Sequence, residues 1–299
     1  MMRKTWGSRM QIGLLLLPGV LIFGIFTLYP IAKLLIMSFF KWDFGSILNQ
    51  EFIGFANYGE VFRDPYFHTV FVNSIVYTLV TVPAQMLLGL LTALFINSIN
   101  HFRIGFRVLY YLPVITSWVI ASLVFKYVFN TEGMLNYFLT DIIHVTSRNI
   151  RWLDTRWGGL TIAMLLGIWK GIGWSAIIYI AAISGIDQQL YEAATVDGAG
   201  RFQRMWHITV PGLIPTFCVL LLMSIANILS NGMDQYLVFE NATNQNAIMV
   251  LDLYVYKLGI GKGAIPLSTV IGMVKSIVSV TLLFAANGVS KLIRGESIV

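Results

Sequence analysis

Apolar residues dominate this chain in long runs, and polar stretches separate each run from the next. A helix that crosses a lipid bilayer needs about 20 consecutive apolar residues, and each run is at least that long. Helices are predicted at Ile12–Phe40, Thr69–Ile99, Val108–Phe129, Leu160–Ile183, Gly212–Met233 and Ala264–Ile293. The pattern indicates an all-α polytopic membrane protein with about six transmembrane helices.

Prolines inside two of these runs are expected to break the helices. Pro83 lies in the second run and Pro113 in the third. A proline in a helix interior removes one backbone hydrogen bond and clashes with the preceding turn. We therefore expect an interruption at Pro83 and a kink at Pro113.

Charged residues sort by the side of the membrane on which the polar stretches lie. Acidic residues concentrate in Trp42–Phe67, Asn130–Trp157 and Asp234–Gly263, which are predicted to be external, the first with a short surface helix. The remaining short segments hold mainly basic residues: Arg3, Lys4, Arg9, Arg103, Arg107, Arg201, Arg204, Lys291 and Arg294. Their acids are Asp187, Glu192, Asp197 and Glu296. Basic residues favour the cytoplasmic side, so both chain ends are predicted to be cytoplasmic.

The predicted organisation has three parts. Residues 1–68 form an amino-terminal transmembrane helix and an external loop. Residues 69–293 form a core of five transmembrane helices, and this core includes a cytoplasmic polar loop at 186–211. A short tail at 294–299 follows.

Composition excludes several classes of protein. The chain has 299 residues, of which 57% are hydrophobic and 11% are charged. Soluble domains carry about a quarter charged residues, so the surroundings are predicted to be membrane lipid. The net charge of +6 does not form a patch, and no nucleic-acid partner is expected. The single cysteine, Cys218, lies in an apolar run and allows no disulfide framework.

The polar loop at 186–211 has the composition of two short helices joined at a glycine hinge. Asp187 can cap a first helix, and Gly198 and Gly200 allow a turn. A second short helix is predicted at Arg201–His207, and Pro211 suits the first turn of the next long helix. From these residues alone, an ordinary loop between two membrane helices remains an alternative.

The spacing within this loop resembles the cytoplasmic EAA loop of ATP-binding-cassette (ABC) importer permeases. Glu192-Ala193-Ala194 is followed by Gly198 and then by Ile208–Pro211, with Val210 where leucine is usual. The resemblance implies a coupling helix that docks into a groove on an ATPase subunit. The residues implied in this coupling are Tyr191, Glu192, Ala193, Ala194, Asp197, Gly198 and Pro211.

Further stretches resemble the carbohydrate-uptake branch of these permeases. They are Phe52–Tyr58, Phe62–Phe67, Tyr110–Ser117, Gly133–Asn136 and Asp234–Tyr236. Phe239–Asn246 departs from the glycine- and proline-rich turn common in that branch, which affects the expected specificity more than the fold. The resemblance implies the type I ABC importer permease fold in a bacterial or archaeal cytoplasmic membrane. Its implied partners are a second permease subunit, two copies of an ATP-binding subunit and an extracytoplasmic solute-binding protein.

Four residues are candidates for a substrate pathway. Asn227 and Asn231 are predicted to share one face of the fifth helix, and amides suit sugar hydroxyls. Trp174 offers a flat aromatic face, and Gly171 leaves room beside it. Trp174 and Asn231 align with an aromatic residue and an asparagine at the sugar site of a maltose-transporting relative, whereas Asn227 matches in position only. Interhelical hydrogen bonding and aromatic packing remain the alternative.

Three lysines near or within the predicted helices allow a different interpretation. Lys126, Lys170 and Lys275 could contact an anionic substrate. The alternative is that their side chains extend to the membrane interface or pair with an acid such as Asp234.

No pattern in the chain indicates catalysis. Its four histidines fall in separate loops, and it has neither a metal-binding motif nor a phosphate-binding loop. We expect no catalytic residue, no metal and no cofactor on this chain, with ATP and Mg²⁺ bound by the partner ATPase. The predicted function is ATP-driven import of a sugar or oligosaccharide. The alternatives are an ABC permease for another polar solute, such as glycerol-phosphate, and an ion-coupled secondary transporter.

Overall fold

The computed structural model describes residues 6–41, 51–99 and 101–294, and these ranges are mainly helical. Arg3, Lys4, Glu296 and most of the predicted tail at 294–299 lie outside the described residues. The chain divides into two compact units. The first comprises Met1–Pro65 and Val255–Val274, and the second comprises Tyr66–Tyr254 and Lys275–Val299.

The first unit begins with a long apolar rod. It consists of α1 (Trp6–Phe23), a π-helical turn at Gly24–Leu28 and α2 (Tyr29–Met37). Two short antiparallel strands follow, β1 (Phe40–Lys41) and β2 (Glu51–Phe52), and then α3 (Ala56–Arg63). The short helix predicted between the first two spans is therefore present.

Helices make up the rest of the chain. They are α4 (Pro65–Ser98), α5 (Arg103–Ile115), α6 (Trp118–Val128), α7 (Met134–Tyr137), α8 (Gly158–Ser184), α9 (Gln188–Val196), α10 (Arg201–Arg204), α11 (Val210–Ala226), α12 (Asp234–Phe239), α13 (Gln245–Ile248), α14 (Leu251–Tyr256) and α15 (Ile265–Arg294). Short π-helical turns at Phe138–Ile142, Met205–Thr209 and Lys257–Gly261 follow α7, α10 and α14.

Five helical segments of the described chain are long and apolar enough to cross a membrane. They are Gln11–Met37, Pro65–Ser98, Gly158–Ser184, Arg201–Ala226 and Ile265–Gly288. A sixth span is formed if Ile104–Ile115 and Trp118–Val128, which meet at 99°, act as one broken helix. This arrangement confirms the predicted all-α class with about six spans.

The prolines do not break the helices where the sequence predicts. α4 continues through Pro83, so the expected interruption is wrong: the loss of one N–H does not end a helix whose flanking turns remain bonded. In the third span, the break lies beyond Pro113. Thr116 and Ser117 adopt extended backbone conformations with ψ of 138° and 139°, and the chain turns there into α6.

The fifth helix is shorter than predicted. α11 ends at Ala226, and Asn227 leaves the helical conformation with φ −103° and ψ 17°. The side-chain amide of Asn227 donates to the Met223 carbonyl oxygen at 2.8 Å, on the last turn of the helix. Gly232 has a φ of +73°, so an irregular segment replaces the end of the span predicted to reach Met233.

α8 is the central helix of the second unit and packs against α5, α6, α11 and α12. Its approach to α5 depends on Gly173, where a methyl group would overlap the Tyr110 carbonyl oxygen. Much of Asp234–Gly263 is not the polar loop that the sequence predicts, because α12, α13 and α14 bury apolar side chains. Phe239, Ile248 and Leu251 are each at most 2% exposed. Polar residues interrupt these short buried helices, so the hydrophobic pattern of the sequence does not show them.

Candidate functional site

A cavity of about 480 Å³ lies within the second unit, bordered by α4, α6, α8, α11 and α12. Gly171, Trp174, Asn227 and Asn231, the four residues predicted for the substrate pathway, all line it. The prediction that the two asparagines share a helical face is wrong, because α11 ends at Ala226, before both of them. The irregular segment after α11 nevertheless brings both residues to the same cavity.

Hydrogen bonds from Asn231 hold this irregular segment against α4. Its Nδ2 donates to Thr78 Oγ1 at 2.8 Å and to the Ser74 carbonyl oxygen at 3.3 Å. Thr78 Oγ1 in turn donates to the Ile228 carbonyl oxygen at 2.6 Å. Asn231 Oδ1 is buried and has no hydrogen-bond partner among the described residues. The donor side of this amide is structural, while its acceptor oxygen is unpaired.

Trp174 and Gly171 present different surfaces. The Trp174 side chain is 61% exposed, so its ring is free for an aromatic contact. The space beside Gly171 is already filled, because a methyl group there would overlap the side chain of Gln85. Gln85 Nε2 donates to the Gly167 carbonyl oxygen at 3.0 Å. Gly171 therefore makes room for a glutamine of α4, which corrects the expectation that it leaves room for a ligand.

Gln85 and Gln235 are polar cavity residues that the sequence reasoning missed. Gln235 is 7% exposed, its Oε1 is buried without a partner among the described residues, and a methyl group at Gly167 would lie 3.8 Å from its amide. Gly167 and Gly171 are four residues apart and share a face of α8. We call this pair the glycine shelf. The small-x-x-x-small spacing of these glycines is a sequence signal of close helix packing, and it could have pointed to this site.

Tyr236 adds a phenol to the cavity wall from α12. Burial raises the pKa of Tyr236 to about 12, so its hydroxyl remains protonated and uncharged at neutral pH. The Tyr236 ring stacks on that of Tyr77, with 6.2 Å between the ring centroids. This wall therefore offers a neutral hydroxyl beside an aromatic pair.

The three lysines bind neighbouring protein groups. Lys170 Nζ donates to the Pro113 carbonyl oxygen at 2.6 Å and lies 4.8 Å from the Trp118 ring centroid. Lys126 Nζ donates to the Val238 carbonyl oxygen at 2.8 Å. Lys275 pairs with a neighbouring acid, as expected, but the acid is Asp252 and not Asp234.

The polar loop at 186–211 folds as predicted into helices around a glycine hinge. Asp187 Oδ1 accepts from the Gln189 backbone N–H at 2.9 Å and caps α9. Gly198 has a φ of +78° and ends that helix, as a left-handed residue does in a helix cap. α10 and its π-helical turn continue into α11, so Arg201–Ala226 forms one rod that contains Pro211.

One face of α9 is hydrogen-bonded to neighbouring residues, and the opposite face is exposed. Tyr191 Oη and Thr209 Oγ1 are hydrogen-bonded at 2.9 Å, and Arg204 Nη1 donates to Thr195 Oγ1 at 2.8 Å. The residues of the exposed face are Glu192, Ala193, Val196 and Asp197, with Ala194 half-buried beside them. We call these five residues the coupling surface. Its small alanines and its acidic groups leave a surface that another protein could contact.

The described residues that line the cavity supply groups able to bind a ligand. Among them, no group of three or more histidine, cysteine or acidic side chains could hold a metal ion. The cavity instead combines amides, hydroxyls and aromatic rings. Such groups hydrogen-bond and stack against a polar, uncharged molecule.

A family model described as the binding-protein-dependent transport system inner membrane component matches residues 67–294. The chain belongs to this family. As a permease of this kind, it is an ABC transporter subunit and a multi-pass membrane protein. The resemblance of its EAA loop is thereby confirmed at the level of the family.

Curated relatives match the permease over most of its length. Protein LplB of Bacillus subtilis is 35% identical over 296 residues, which cover 95% of this chain and 90% of LplB. The polygalacturonan/rhamnogalacturonan transport system permease protein YteP of the same organism is 33% identical over 288 residues, covering 95% of this chain and 89% of YteP.

Solved structures place the permease in the type I ABC importer fold. A bacterial ABC transporter involved in import of the acidic polysaccharide alginate matches with a TM-score of 0.84 and 26% identity, covering 95% of this chain and 96% of the other. A bacterial alginate transporter in complex with an alginate pentasaccharide-bound periplasmic protein matches with a TM-score of 0.86 and 26% identity, covering 99% and 100%.

Proposed function

We propose that this permease forms part of a pathway through which a sugar or oligosaccharide enters the cell, driven by ATP. The observation that carries the proposal is the cavity, whose wall combines an exposed tryptophan ring with amides and hydroxyls. Aromatic faces and neutral hydrogen-bonding groups are the surfaces that saccharides need. Relatives named for the transport of polygalacturonan, rhamnogalacturonan and alginate support the same class of cargo.

The energy comes from partner subunits in this proposal. Two copies of an ATPase bind ATP and Mg²⁺ on the cytoplasmic side, and the coupling surface docks into the groove of one copy. A second permease subunit completes the pathway, and an extracytoplasmic binding protein delivers the sugar. The neighbouring alginate transporter, solved with a periplasmic protein that holds a pentasaccharide, supports such a delivery partner. Both chain ends of this permease are then cytoplasmic.

The rod Arg201–Ala226 links the two sites mechanically. It begins a few residues after the coupling surface, and its last residue directly precedes Asn227 in the cavity. Closure of the ATPase pair on ATP would move α9, and the rod would carry that motion to the cavity wall. Hinge motion of this kind switches the pathway between outward-open and inward-open states.

Charge reversal on the coupling surface tests the proposal. Glu192→Lys should abolish ATP-driven uptake of labelled oligosaccharide in cells that contain the whole importer, while the amount of permease in the membrane is unchanged. Glu132→Lys makes the same charge change at another exposed position and is the matched control. Normal uptake by Glu192→Lys would refute the coupling role. Uptake that needs an ion gradient and no ATPase would instead indicate a secondary transporter.

A further inference from the structure

We infer that the cavity selects uncharged saccharides. In this inference the two glutamines that pack against the glycine shelf, Gln85 and Gln235, form hydrogen bonds with the sugar hydroxyls. This inference rests on the proposed function and narrows its substrate class. It separates this permease from the neighbour of solved structure that imports alginate, an acidic polysaccharide.

The charge of the cavity wall is the first argument. Within the described chain, the residues that line the cavity include no aspartate, glutamate, lysine, arginine or histidine. A carboxylate that leaves water is compensated best by a cation, and neutral donors alone replace its hydration only in part. A uronic acid entering this cavity would lose its hydration without finding a counter-charge on this subunit.

The nearby lysines are already committed to other groups. The buried Lys170 ammonium donates to the carbonyl oxygens of Pro113 and Thr116, and its remaining side lies against the Trp118 ring. An ammonium has three donors, so little capacity remains for a ligand. Lys126 donates to a backbone carbonyl oxygen, and Lys275 is neutralised by a carboxylate. None of the three lines the cavity.

The unpaired acceptors of the wall are the second argument. Asn231 Oδ1 and Gln235 Oε1 are both buried, and neither has a hydrogen-bond partner in the described chain. An unsatisfied buried oxygen is costly, and a hydroxyl donor removes that cost. After a side-chain rotation turns either oxygen toward the cavity, a sugar hydroxyl can donate to it, whereas an ionised carboxylate has no proton to give and is repelled by it. The wall therefore favours hydroxyls over carboxylates.

The glycine shelf explains why two glutamines occupy this position. Gln235 packs over Gly167, and Gln85 fills the space beside Gly171. Gln85 donates one amide proton to the Gly167 carbonyl oxygen, which orients its Oε1 and leaves its second proton for another acceptor. The shelf thus holds two neutral amides, able to donate and to accept, at one place in the cavity.

Matched saccharide pairs test this inference on the complete importer. The permease, its second permease and both ATPase copies would be placed in nanodiscs without the binding protein, so that the binding protein's own selectivity does not contribute. Saturation-transfer difference NMR would then measure binding of trigalacturonate and its fully methyl-esterified form, and of maltotriose and its C6-oxidised tricarboxylate. Equivalent gluco-, manno- and xylo-oligosaccharide pairs complete the panel. In pairs that bind, the neutral member should bind at least about tenfold tighter, as expected for an uncompensated charge.

The possible outcomes separate the inference from the proposed function. Equal or tighter binding of the acidic members would overturn the inference and leave saccharide transport intact. If no member of any pair binds, and none supports uptake dependent on this permease, the proposed function fails and the inference fails with it.

Substitutions of the two glutamines that pack against the glycine shelf test the role of their amides. Gln235→Leu and Gln85→Leu should each weaken binding of the neutral members by about tenfold, because a sugar hydroxyl loses its partner. Gln245→Leu removes an exposed glutamine outside the cavity and should leave binding unchanged. Gln235→Lys should raise affinity for the acidic members. The isosteric Gln235→Glu preserves the shape of the side chain and should strengthen their rejection even if the leucine variants fail to assemble. Unchanged selectivity in Gln235→Glu would refute the role assigned to this amide.

Discussion

At the scale of single residues, Lys170 stabilises the bend between α5 and α6. It is 5% exposed, and it reaches from α8 to two carbonyl oxygens beside the 99° break between α5 and α6. The extended residues at the break leave the final carbonyl groups of α5 without helical partners. The ammonium satisfies both the Pro113 carbonyl oxygen of α5 and the Thr116 carbonyl oxygen at the break, which explains how a lysine is retained inside an apolar span.

Removal of this donor should destabilise the permease. Lys170→Met leaves two buried carbonyl oxygens without the ammonium, and we expect a loss of about 2–4 kcal/mol in the free energy of unfolding. Thermal unfolding of the purified complex, followed by tryptophan fluorescence, measures this loss. Lys126→Met removes an exposed lysine that makes one bond and should cost less than about 1 kcal/mol. Equal losses in the two variants would contradict the role of Lys170.

Residue type alone indicated candidate polar groups for the site but not which atoms they contact. Trp174, Asn227 and Asn231 were identified from the sequence, and the structure places them on one cavity. The partners of Lys170 were not predictable, because backbone carbonyl oxygens carry no sequence signal and become available only where a helix breaks. Gln85 was missed since its importance depends on a glycine of another helix.

At the scale of elements, α5 and α8 meet through a glycine. A methyl group at Gly173 would overlap the Tyr110 carbonyl oxygen, a backbone atom that moves only if α5 moves. Gly173→Ala should therefore lower the free energy of unfolding by about 1–3 kcal/mol, as overpacking does. Gly288→Ala, in α15 with open space around it, should be neutral or stabilising by up to about 1 kcal/mol. Chemical denaturation of both variants measures the difference, and equal stability would disprove the close contact.

The hinge between α9 and α10 depends on one glycine more than on the other. Gly198 has a φ of +78°, whereas Gly200 has a φ of −67°, which any residue adopts. Gly198→Pro cannot form this turn, because proline fixes φ near about −65°, and ATP-driven uptake should be lost. Gly198→Ala should reduce uptake partially, and Gly200→Ala should leave it unchanged. Uptake measured at matched membrane levels of permease checks the order, and normal uptake by Gly198→Pro would rule out the hinge.

The hydrophobic pattern predicted the number of spans better than their ends. It cannot locate the end of α11, because apolar residues continue on both sides of Asn227 and only the backbone shows the break. It also predicted an interruption at Pro83, where the helix continues. Breaks are set by hydrogen bonds between elements, such as that from Asn231 to Thr78, and these do not alter local periodicity.

At the scale of the whole molecule, the sidedness of the chain is a prediction that labelling can test. Val196 on the coupling surface is 89% exposed, and Val145 in the stretch predicted to be external is 67% exposed. In a Cys218→Ser background, a membrane-impermeant maleimide added to intact cells should label Val145→Cys and not Val196→Cys. Inside-out vesicles should give the reverse. Labelling of Val196→Cys from outside would overturn the cytoplasmic position of α9.

The overall architecture could be predicted from the sequence because it follows from two strong signals. Long apolar runs indicate spans, and the fixed spacing from Glu192 to Pro211 indicates the family. The buried helices within Asp234–Gly263 were not accessible, because polar residues interrupt them and each is too short to show a period.

The interlocking of Gly171 and Gln85 has an evolutionary consequence. Since a larger residue at the glycine would require the flexible glutamine side chain to shift, a change at one position favours a shorter side chain at the other. Covariation between these two positions should therefore appear across orthologues.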